Sequence, residues 1–345
     1  MTLFIRKPPC GGFPWGTRQN WTLTSHEFYD ISNSMGMINY VSMESTWIVA
    51  CIGVNIFVLI SGYFLSDNSY LRIQGGILIW FETIFYSLFG FILALLINHH
   101  PFSISEFLSF AEPIHSRKYW FVTVYLGLIL IAPFLSKLLT SLTRKQYCYL
   151  LAVTSLMSFQ FLLSKWYAGE HHINWFIFLF FVSGYLKRFG VPIWIRKNIG
   201  KIVFVLFLCL FTCGLAYNIL NNGMRFNLVS TANDGFIFFL SVSIFIWFLQ
   251  RDMDTWIIRK IVLLAPYCLG IYLIHEHPLL GEELWLWIIP ENYNVPIILH
   301  AMMYCILIFI VCSSIDYFRR LIFRLLKINR MVKYIASKIP QPFIN

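Results

Sequence analysis

The stretch Gly75–Ile97 reads GGILIWFETIFYSLFGFILALLI and contains one charged residue, Glu82. A helix needs about 20 mostly apolar residues to cross the hydrocarbon core of a bilayer. This stretch meets that length, and its apolar residues run on without the alternation of a half-buried strand. It therefore predicts a transmembrane α-helix.

Eight further apolar runs accompany it, and together they predict an all-α polytopic membrane protein with about nine transmembrane helices. The 345-residue chain is 58% hydrophobic and only 12% charged. Soluble domains carry roughly 25% charged residues, so lipid must cover this surface. The predicted helices, in chain order, are Thr46–Leu65, Gly75–Ile97, Tyr119–Leu139, Tyr147–Leu163, Ile173–Leu186, Ile202–Ile219, Gly235–Leu249, Ile261–Ile274 and Val295–Ile315.

Lysine and arginine divide unequally between the two sides of these runs. Of the 26 basic residues, 19 fall on one side and 7 on the side that holds the N-terminus. Positive loops stay in the cytoplasm, which predicts a cytoplasmic C-terminus. The net charge of +10 lies between runs and in the tail, which favours anionic lipid and not nucleic acid as its partner.

Three regions follow from this topology. Residues 1–45 are a polar extracytoplasmic segment, 46–315 the transmembrane domain and 316–345 a basic amphipathic cytoplasmic tail that lies on the inner leaflet or is solvated. The polar first region has no signal-peptide pattern, so we expect a further helix upstream of the sequence. The alternative is a short tail that crosses the membrane unaided.

Histidine gathers toward the predicted outer face. His275 is the strongest candidate because it ends an apolar helix, and imidazole is the usual proton acceptor near neutral pH. The sequence His275-Glu276-His277 also suggests a metal site, but it lacks a third ligand at a recognised spacing, so no metal is predicted.

Polar residues within the runs are the other candidates. Glu82 is a costly intramembrane carboxylate and hence a catalytic candidate; it is paired with Arg or Lys, protonated, or a structural hydrogen-bonding group. Asn55 and Ser61 lie in the first run, where Gly53, Ser61 and Gly62 are small enough for close helix packing. Arg72, at the cytoplasmic side, is placed to meet an anionic ligand.

Four motifs resemble those of the acyltransferase family 3 membrane proteins, in the same order. They are Ser61-Gly62-Tyr63, the segment Lys118-Tyr119-Trp120-Phe121 through Ala132-Pro133-Phe134-Leu135, Ser183-Gly184-Tyr185-Leu186, and Gly270-Ile271-Tyr272-Leu273-Ile274-His275. The resemblance covers roughly residues 50–320. It is nearest to the bacterial members that O-acetylate surface polysaccharides.

The resemblance implies about ten helices in the bacterial inner membrane and transfer of an acyl group, usually acetyl, from cytoplasmic acyl-CoA. The acceptor is a hydroxyl of a cell-surface or lipid-linked glycan, and no cofactor is bound. Arg72 would meet the phosphates of acetyl-CoA, near a polar passage of Asn55, Ser61 and Glu82. His275 would orient the acceptor or serve as the base, because the family's histidine and arginine in the first helix map to no residue here.

Tyr119 and Trp120 are predicted to stack on a sugar ring, although aromatic residues at this depth are commonly membrane anchors. Two other functions remain open. A glycan transporter or flippase would use Glu82 as its coupling group, but the sequence shows no inverted repeat. A non-catalytic scaffold of a polysaccharide assembly complex would neither transfer an acyl group nor transport a glycan.

Overall fold

The structure is a computed structural model that describes residues 34–67, 70–97, 100–159, 171–220, 232–251, 254–281 and 297–340. These residues form helices and turns, without strands, which confirms the all-α prediction. His26, His99 and most of the predicted N-terminal segment lie outside the described residues.

Helices lie at each of the nine predicted apolar runs within the described residues. In chain order the helices are α1 (Ser34–Leu65), α2 (Ile73–Ile97), α3 (Ile104–Ala111), α4 (Trp120–Ser141), α5 (Arg144–Ser158), α6 (Ile173–Phe189), α7 (Ile193–Leu220), α8 (Gly235–Leu249), α9 (Trp256–Val262), α10 (Cys268–His275), α11 (Ile297–Leu325) and α12 (Ile328–Ser337).

Four segments of the described chain are long and apolar enough to cross a membrane. They are Ile48–Leu65, Ile73–Ile97, Trp120–Ser141 and Ile258–His275, and the shorter apolar helix Gly235–Leu249 accompanies them. Large apolar side chains on several helices are exposed, among them Leu96 at 69% and Phe204 at 66%. A polytopic membrane protein presents such surfaces to lipid.

Two predicted boundaries fall inside continuous helices. α1 begins at Ser34, twelve residues before the predicted Thr46, so the polar segment drawn to residue 45 is partly helical. α11 continues past Ile315 to Leu325, so the tail drawn from residue 316 begins within this helix. Charged residues lie next to both predicted boundaries, Glu44 before Thr46 and Asp316 after Ile315, and neither ends its helix.

The eighth predicted helix is broken. A turn and a 3₁₀ segment, Ala265–Tyr267, separate α9 from α10. Pro266 stands in this segment, and a proline inside a helix removes one backbone donor and clashes with the preceding turn. The predicted helix over Ile261–Ile274 is therefore present as part of the candidate span Ile258–His275, but with a break at Ala265–Tyr267.

Contacts between helices agree with a chain that crosses back and forth. Glu82 and Tyr86 of α2 bond to Arg319 and Asp316 of α11, which makes these two helices antiparallel. α1 and α6 run parallel, since Asn55 meets Trp175 and Gly62 lies against Phe180 further along both helices. In a chain that crosses the membrane at each run, the second and ninth runs should be antiparallel and the first and fifth parallel. The contacts of α2 with α11 and of α1 with α6 agree with this.

The centre of the bundle is the contact of α1 with α6. An ideal Cβ on Gly62 would overlap the Ser183 side chain and the backbone of Phe180, so only glycine permits this approach. Gly53, predicted to act in the same way, has no neighbour within 4 Å of that position. Around this contact α4, α5 and α8 complete a core rich in phenylalanine.

Candidate functional site

The short helix α10 carries the candidate site at its C-terminal end. Leu273 is fully buried with Tyr86, Tyr119 and Val122, which packs α10 between α2 and α4. The Tyr119 hydroxyl also donates to the Leu273 carbonyl at 3.0 Å. These contacts fix the direction in which the helix ends at His275.

His275 has a defined tautomer. Its Nδ1–H donates to the carbonyl of Ile271, one helical turn earlier, at 2.7 Å. In the neutral ring the lone pair is then on Nε2, which is the basic nitrogen. The side chain is 25% exposed, so this nitrogen is half-buried at the helix end.

Glu276 is the immediate partner of that nitrogen. Its Oε1 lies 3.6 Å from His275 Nε2, and its side chain is only 19% exposed. Burial raises the pKa of Glu276 to about 7. The Glu276 carboxyl therefore changes its charge close to neutral pH, beside the basic nitrogen of His275.

His277, two residues on, is used differently. Its Nε2–H donates to the Ser87 carbonyl at 3.1 Å, while its Nδ1 accepts from the backbone N–H of Leu279 at 3.2 Å. Its ring stacks on Phe110 and is 1% exposed. Burial first, and then the nearby Lys118 charge, lower the pKa of His277 to about 4, so the ring is neutral at physiological pH.

The hydrogen bonds of the two histidines limit a metal site at His275-Glu276-His277. Both ring nitrogens of His277 already hold hydrogen-bonding partners. Within the described ranges, no group of three or more His, Cys, Asp or Glu side chains is arranged to hold a metal ion. Glu282 and Glu283 lie outside those ranges.

Glu82 belongs to a second polar region, which we call the charge network: Glu82, Tyr86, Asp316, Arg319 and Arg320. Arg319 donates to Glu82 at 3.0 Å and to Asp316 at 2.9 Å. Tyr86 donates to Asp316 at 2.7 Å, and Arg320 donates to its second oxygen at 2.7 Å. Of the alternatives for Glu82, the structure therefore has the ion pair with an arginine.

The charge network also supports the broken segment before α10. Arg320 donates to the Pro266 carbonyl and lies over the Tyr267 ring, 4.7 Å from its centroid. Asp316 lies against Gly270, in the first turn of α10, so closely that a Cβ there would overlap its carboxylate. A carboxylate is stabilised near the first turn of a helix, and an arginine satisfies a carbonyl freed by the break.

Glu82 and His275, the two predicted catalytic residues, are at different levels of the bundle. Glu82 lies at the level of Asp316, beside the start of α10. Ser87, five residues further along α2, is at the level of His277. That spacing is about 7.5 Å along a helix, so the structure does not bring the two groups together. A catalytic role of Glu82 stays a prediction.

Asn55 links three elements of the bundle. Its Nδ2 donates to the Ala232 carbonyl at 2.7 Å and to Ser241 Oγ at 3.1 Å. Its Oδ1 accepts from the Trp175 indole at 2.9 Å, and the side chain is fully buried. These bonds account for a polar residue at this depth, and substrate contact by Asn55 stays a prediction.

Ser61 is linked to α4 through a tyrosine. Its Oγ lies 3.1 Å from the Tyr125 hydroxyl, and the charge of Arg72 acts on that hydroxyl electrostatically. Arg72 is exposed and precedes α2. Substrate binding by Ser61 and Arg72 stays a prediction.

Tyr119 and Trp120 are less open than a sugar platform requires. Tyr119 is 1% exposed and bonds to α10. Trp120 is half-buried, with its ring 4.1 Å from that of His171, so only Trp120 offers an edge to a ligand. Stacking on a sugar stays a prediction for both residues.

Sequence reasoning missed Asp316, Arg319, Tyr125 and the role of Glu276. The two charged residues of α11 were assigned to a tail, although Asp316 followed by arginines three and four residues later is a helical ion-pair spacing that could have located them. Glu276 was considered only as part of a metal motif. Tyr125 gave no signal beyond its place in an apolar run.

A family model described as an acyltransferase domain matches residues 21–317. This range includes every helix discussed above apart from the end of α11 and α12. No curated protein and no solved structure matches the chain significantly. The match covers most of the chain and agrees with the four sequence motifs, and the chain therefore belongs to acyltransferase family 3.

Proposed function

We propose that this membrane acyltransferase moves an acetyl group from cytoplasmic acetyl-CoA to a hydroxyl of a cell-surface or lipid-linked polysaccharide. The observation that supports it most is the end of α10, where His275 presents a basic Nε2 beside Glu276. O-acyl transfer needs a group that removes the proton of the attacking hydroxyl. The half-buried position keeps that group in partly desolvated surroundings.

In the proposed reaction the acceptor hydroxyl attacks the carbonyl carbon of the thioester while its proton passes to His275 Nε2. The new C–O bond forms, the C–S bond breaks, and the proton is returned to the departing thiolate of CoA. Ionised Glu276 stabilises the imidazolium that exists between these steps, from a carboxylate oxygen 3.6 Å away. Atoms and charge balance, and no cofactor is required.

The donor enters from the cytoplasm in this proposal. Arg72 is exposed at the start of α2 and offers a fixed positive charge for a CoA phosphate. In this proposal the acyl chain and thioester then pass the hydroxyl groups of Tyr125 and Ser61, which lie 3.1 Å apart. Asn55 and Glu82 are held by protein partners, so we give them structural roles along this passage.

The topology is part of the proposal: a bacterial inner-membrane protein with a cytoplasmic C-terminus. Single cysteines placed among the exposed basic residues Arg196, Lys197 and Lys201 test it in intact cells. We expect an impermeant thiol reagent to label them only after the inner membrane is opened. Labelling from outside would invert the orientation and remove the cytoplasmic donor.

Activity is tested with radiolabelled acetyl-CoA and membranes that contain the acceptor glycan. We expect His275→Ala to lower label transfer at least about 100-fold, the contribution typical of a general base, while the protein stays folded. His172→Ala is the matched control, because His172 is an exposed histidine at a helix start.

Unchanged transfer in His275→Ala would remove His275 from the mechanism. The same assay separates the other functions. A flippase would move glycan across the membrane without labelling it, and a scaffold would do neither. The pairing of Glu82 with Arg319 does not favour a coupling carboxylate that exchanges protons.

A further inference from the structure

The C-terminal helix α12 has three distinct sides. Val332 is 1% exposed, and it faces the protein together with the half-buried Ile328 and Ala336, one turn before and after it. This side packs α12 against α2. Lys327, in the left-handed conformation at φ 54°, makes the turn that redirects the chain from α11 into α12.

A second side is apolar and exposed. It is formed by Met331, Tyr334 and Ile335, which are 39%, 65% and 37% exposed. The end of α11 adds Leu325 and Leu326, at 79% and 66%. Nothing within the described part of the chain covers these side chains, and they continue the exposed apolar surface of α11, which includes Phe318 and Ile322.

The third side is basic. Arg330 and Lys333 lie one turn apart and are exposed, as are Arg324, Lys327 and Lys338 nearby. After Asp316 the remaining sequence contains no aspartate or glutamate, so the segment carries basic side chains without acidic side chains among them. Lys338 lies over the Tyr334 ring, 5.4 Å from its centroid, at the border of the basic and apolar sides.

We propose that α12 and the end of α11 form a binding surface for anionic phospholipid headgroups of the inner leaflet. The apolar side enters the boundary between headgroups and acyl chains, and the basic side remains at the level of the phosphates. Each basic residue near an anionic leaflet contributes about 1 kcal/mol, or roughly fivefold in binding. The surface does not depend on acyl transfer and acts in the same way in an inactive enzyme.

Hydrogen exchange of the whole protein in nanodiscs tests the proposal. One disc contains phosphatidylcholine alone, and the other contains phosphatidylcholine mixed with phosphatidylglycerol. We expect backbone amides of residues 328–338 to exchange about tenfold more slowly in the anionic disc. The variant Lys327→Gln/Arg330→Gln/Lys333→Gln should lose this difference.

The matched control removes three exposed charges elsewhere, as Arg196→Gln/Lys197→Gln/Lys201→Gln in α7. It should keep the difference at α12. Exchange in α1 and α6 reports whether either variant is folded, because the core of the bundle lies between these helices. Equal exchange in the two discs, or equal loss in the control, would overturn the proposal.

A second measurement does not require charge variants. A photo-activatable phenylalanine analogue at Tyr334 should crosslink to the acyl chains of phospholipid, whereas the same analogue at Ser337, on the basic side, should crosslink to the headgroups. Coenzyme A is the competing source of phosphate. If coenzyme A slowed hydrogen exchange of α12 in the neutral disc and phosphatidylglycerol did not slow it in the anionic disc, the basic side would bind the acyl donor. The proposal of a lipid-binding surface would then be wrong.

Discussion

The two ends of α10 hold ionisable side chains in the protein interior in contrasting ways. At its start, the charge network pairs two carboxylates with two arginines, and Asp316 alone accepts three hydrogen bonds. At its end, His275 has a defined tautomer and a basic nitrogen at a half-buried surface. A set of mutually paired charges holds helices together, whereas a partly buried histidine beside a single carboxylate is the arrangement expected of a group that exchanges protons.

The largest loss of stability is expected when the charge network is broken. Arg319→Ala leaves Glu82 and Asp316 without their shared partner in the interior, which should lower the free energy of unfolding by about 3–5 kcal/mol. Thermal unfolding in detergent measures it. The exposed Arg324, five residues later in α11, is the control, and Arg324→Ala should change little. Equal stability of the two variants would refute the structural role of the network.

The second prediction compares two neighbouring histidines. His277→Ala removes two hydrogen bonds and the stacking on Phe110, so it should cost about 1–3 kcal/mol of stability. His275→Ala should cost activity and little stability. Thermal unfolding and acetyl transfer measured on both variants would show whether the roles separate. A stable His277→Ala protein would contradict the packing role.

The same histidine gives a pH dependence. The pKa of His277 is lowered from the ordinary histidine value of 6.5 to about 4. The neutral ring therefore contributes its full stabilisation at pH values above 6.5. That contribution is lost as the pH falls from 6.5 toward 4. Wild type should therefore lose more stability than His277→Ala between these pH values, and parallel losses would contradict it.

A smaller effect is expected for Glu276→Gln. The pKa of Glu276 is about 7, so its carboxylate becomes charged and can stabilise imidazolium as the pH rises through 7. We expect acetyl transfer to rise through this range in wild type, and the variant to lack the rise and be about tenfold slower at pH 8.

The stability contributed by Glu276 should fall over the pH range in which the rate of acetyl transfer rises. A raised carboxyl pKa means that the protonated form stabilises the fold, fully below 4.5 and progressively less as the pH rises to 7. Glu276→Gln should therefore be more stable than wild type at pH 8 and similar at pH 4.5. A variant whose pH profiles of rate and stability both match wild type would exclude a role for this carboxylate.

The smallest effect is expected at Tyr119. Tyr119→Phe keeps the buried ring and removes the hydrogen bond to the Leu273 carbonyl, which should cost about 1 kcal/mol. If the hydroxyl only holds α10, acetyl transfer and its dependence on glycan concentration should change slightly. A large rise in the glycan KM would instead support the sugar-binding role predicted from the sequence.

Apolar length predicted the helices of this fold well, because lipid requires the backbone of each crossing to form its own hydrogen bonds. Helix ends were less predictable. The sequence ends the last apolar run at Asp316, but the residues that allow α11 to continue are Glu82 and Tyr86, more than two hundred residues away. The break at Pro266 was visible in the sequence and was overlooked within an otherwise apolar run.

The candidate site was predictable only in part. His275 stands at a helix end as expected, and Ser61 lies within hydrogen-bonding distance of Tyr125, which the sequence did not indicate. The tautomer of His275, and the contrast with His277, depend on whether a backbone carbonyl or N–H lies within reach of each ring nitrogen. Such contacts follow from packing of distant helices and leave no pattern in the local sequence.

The close fit of Gly270 to Asp316 also constrains how this protein can diverge. A methyl group at position 270 would occupy the space of the Asp316 carboxylate, and moving that carboxylate would break its bonds to both arginines. Related chains that gain a side chain at 270 should thus carry a shorter residue at 316 and keep an arginine at 319, because Arg319 also pairs with Glu82. Positions 270 and 316 should therefore change together.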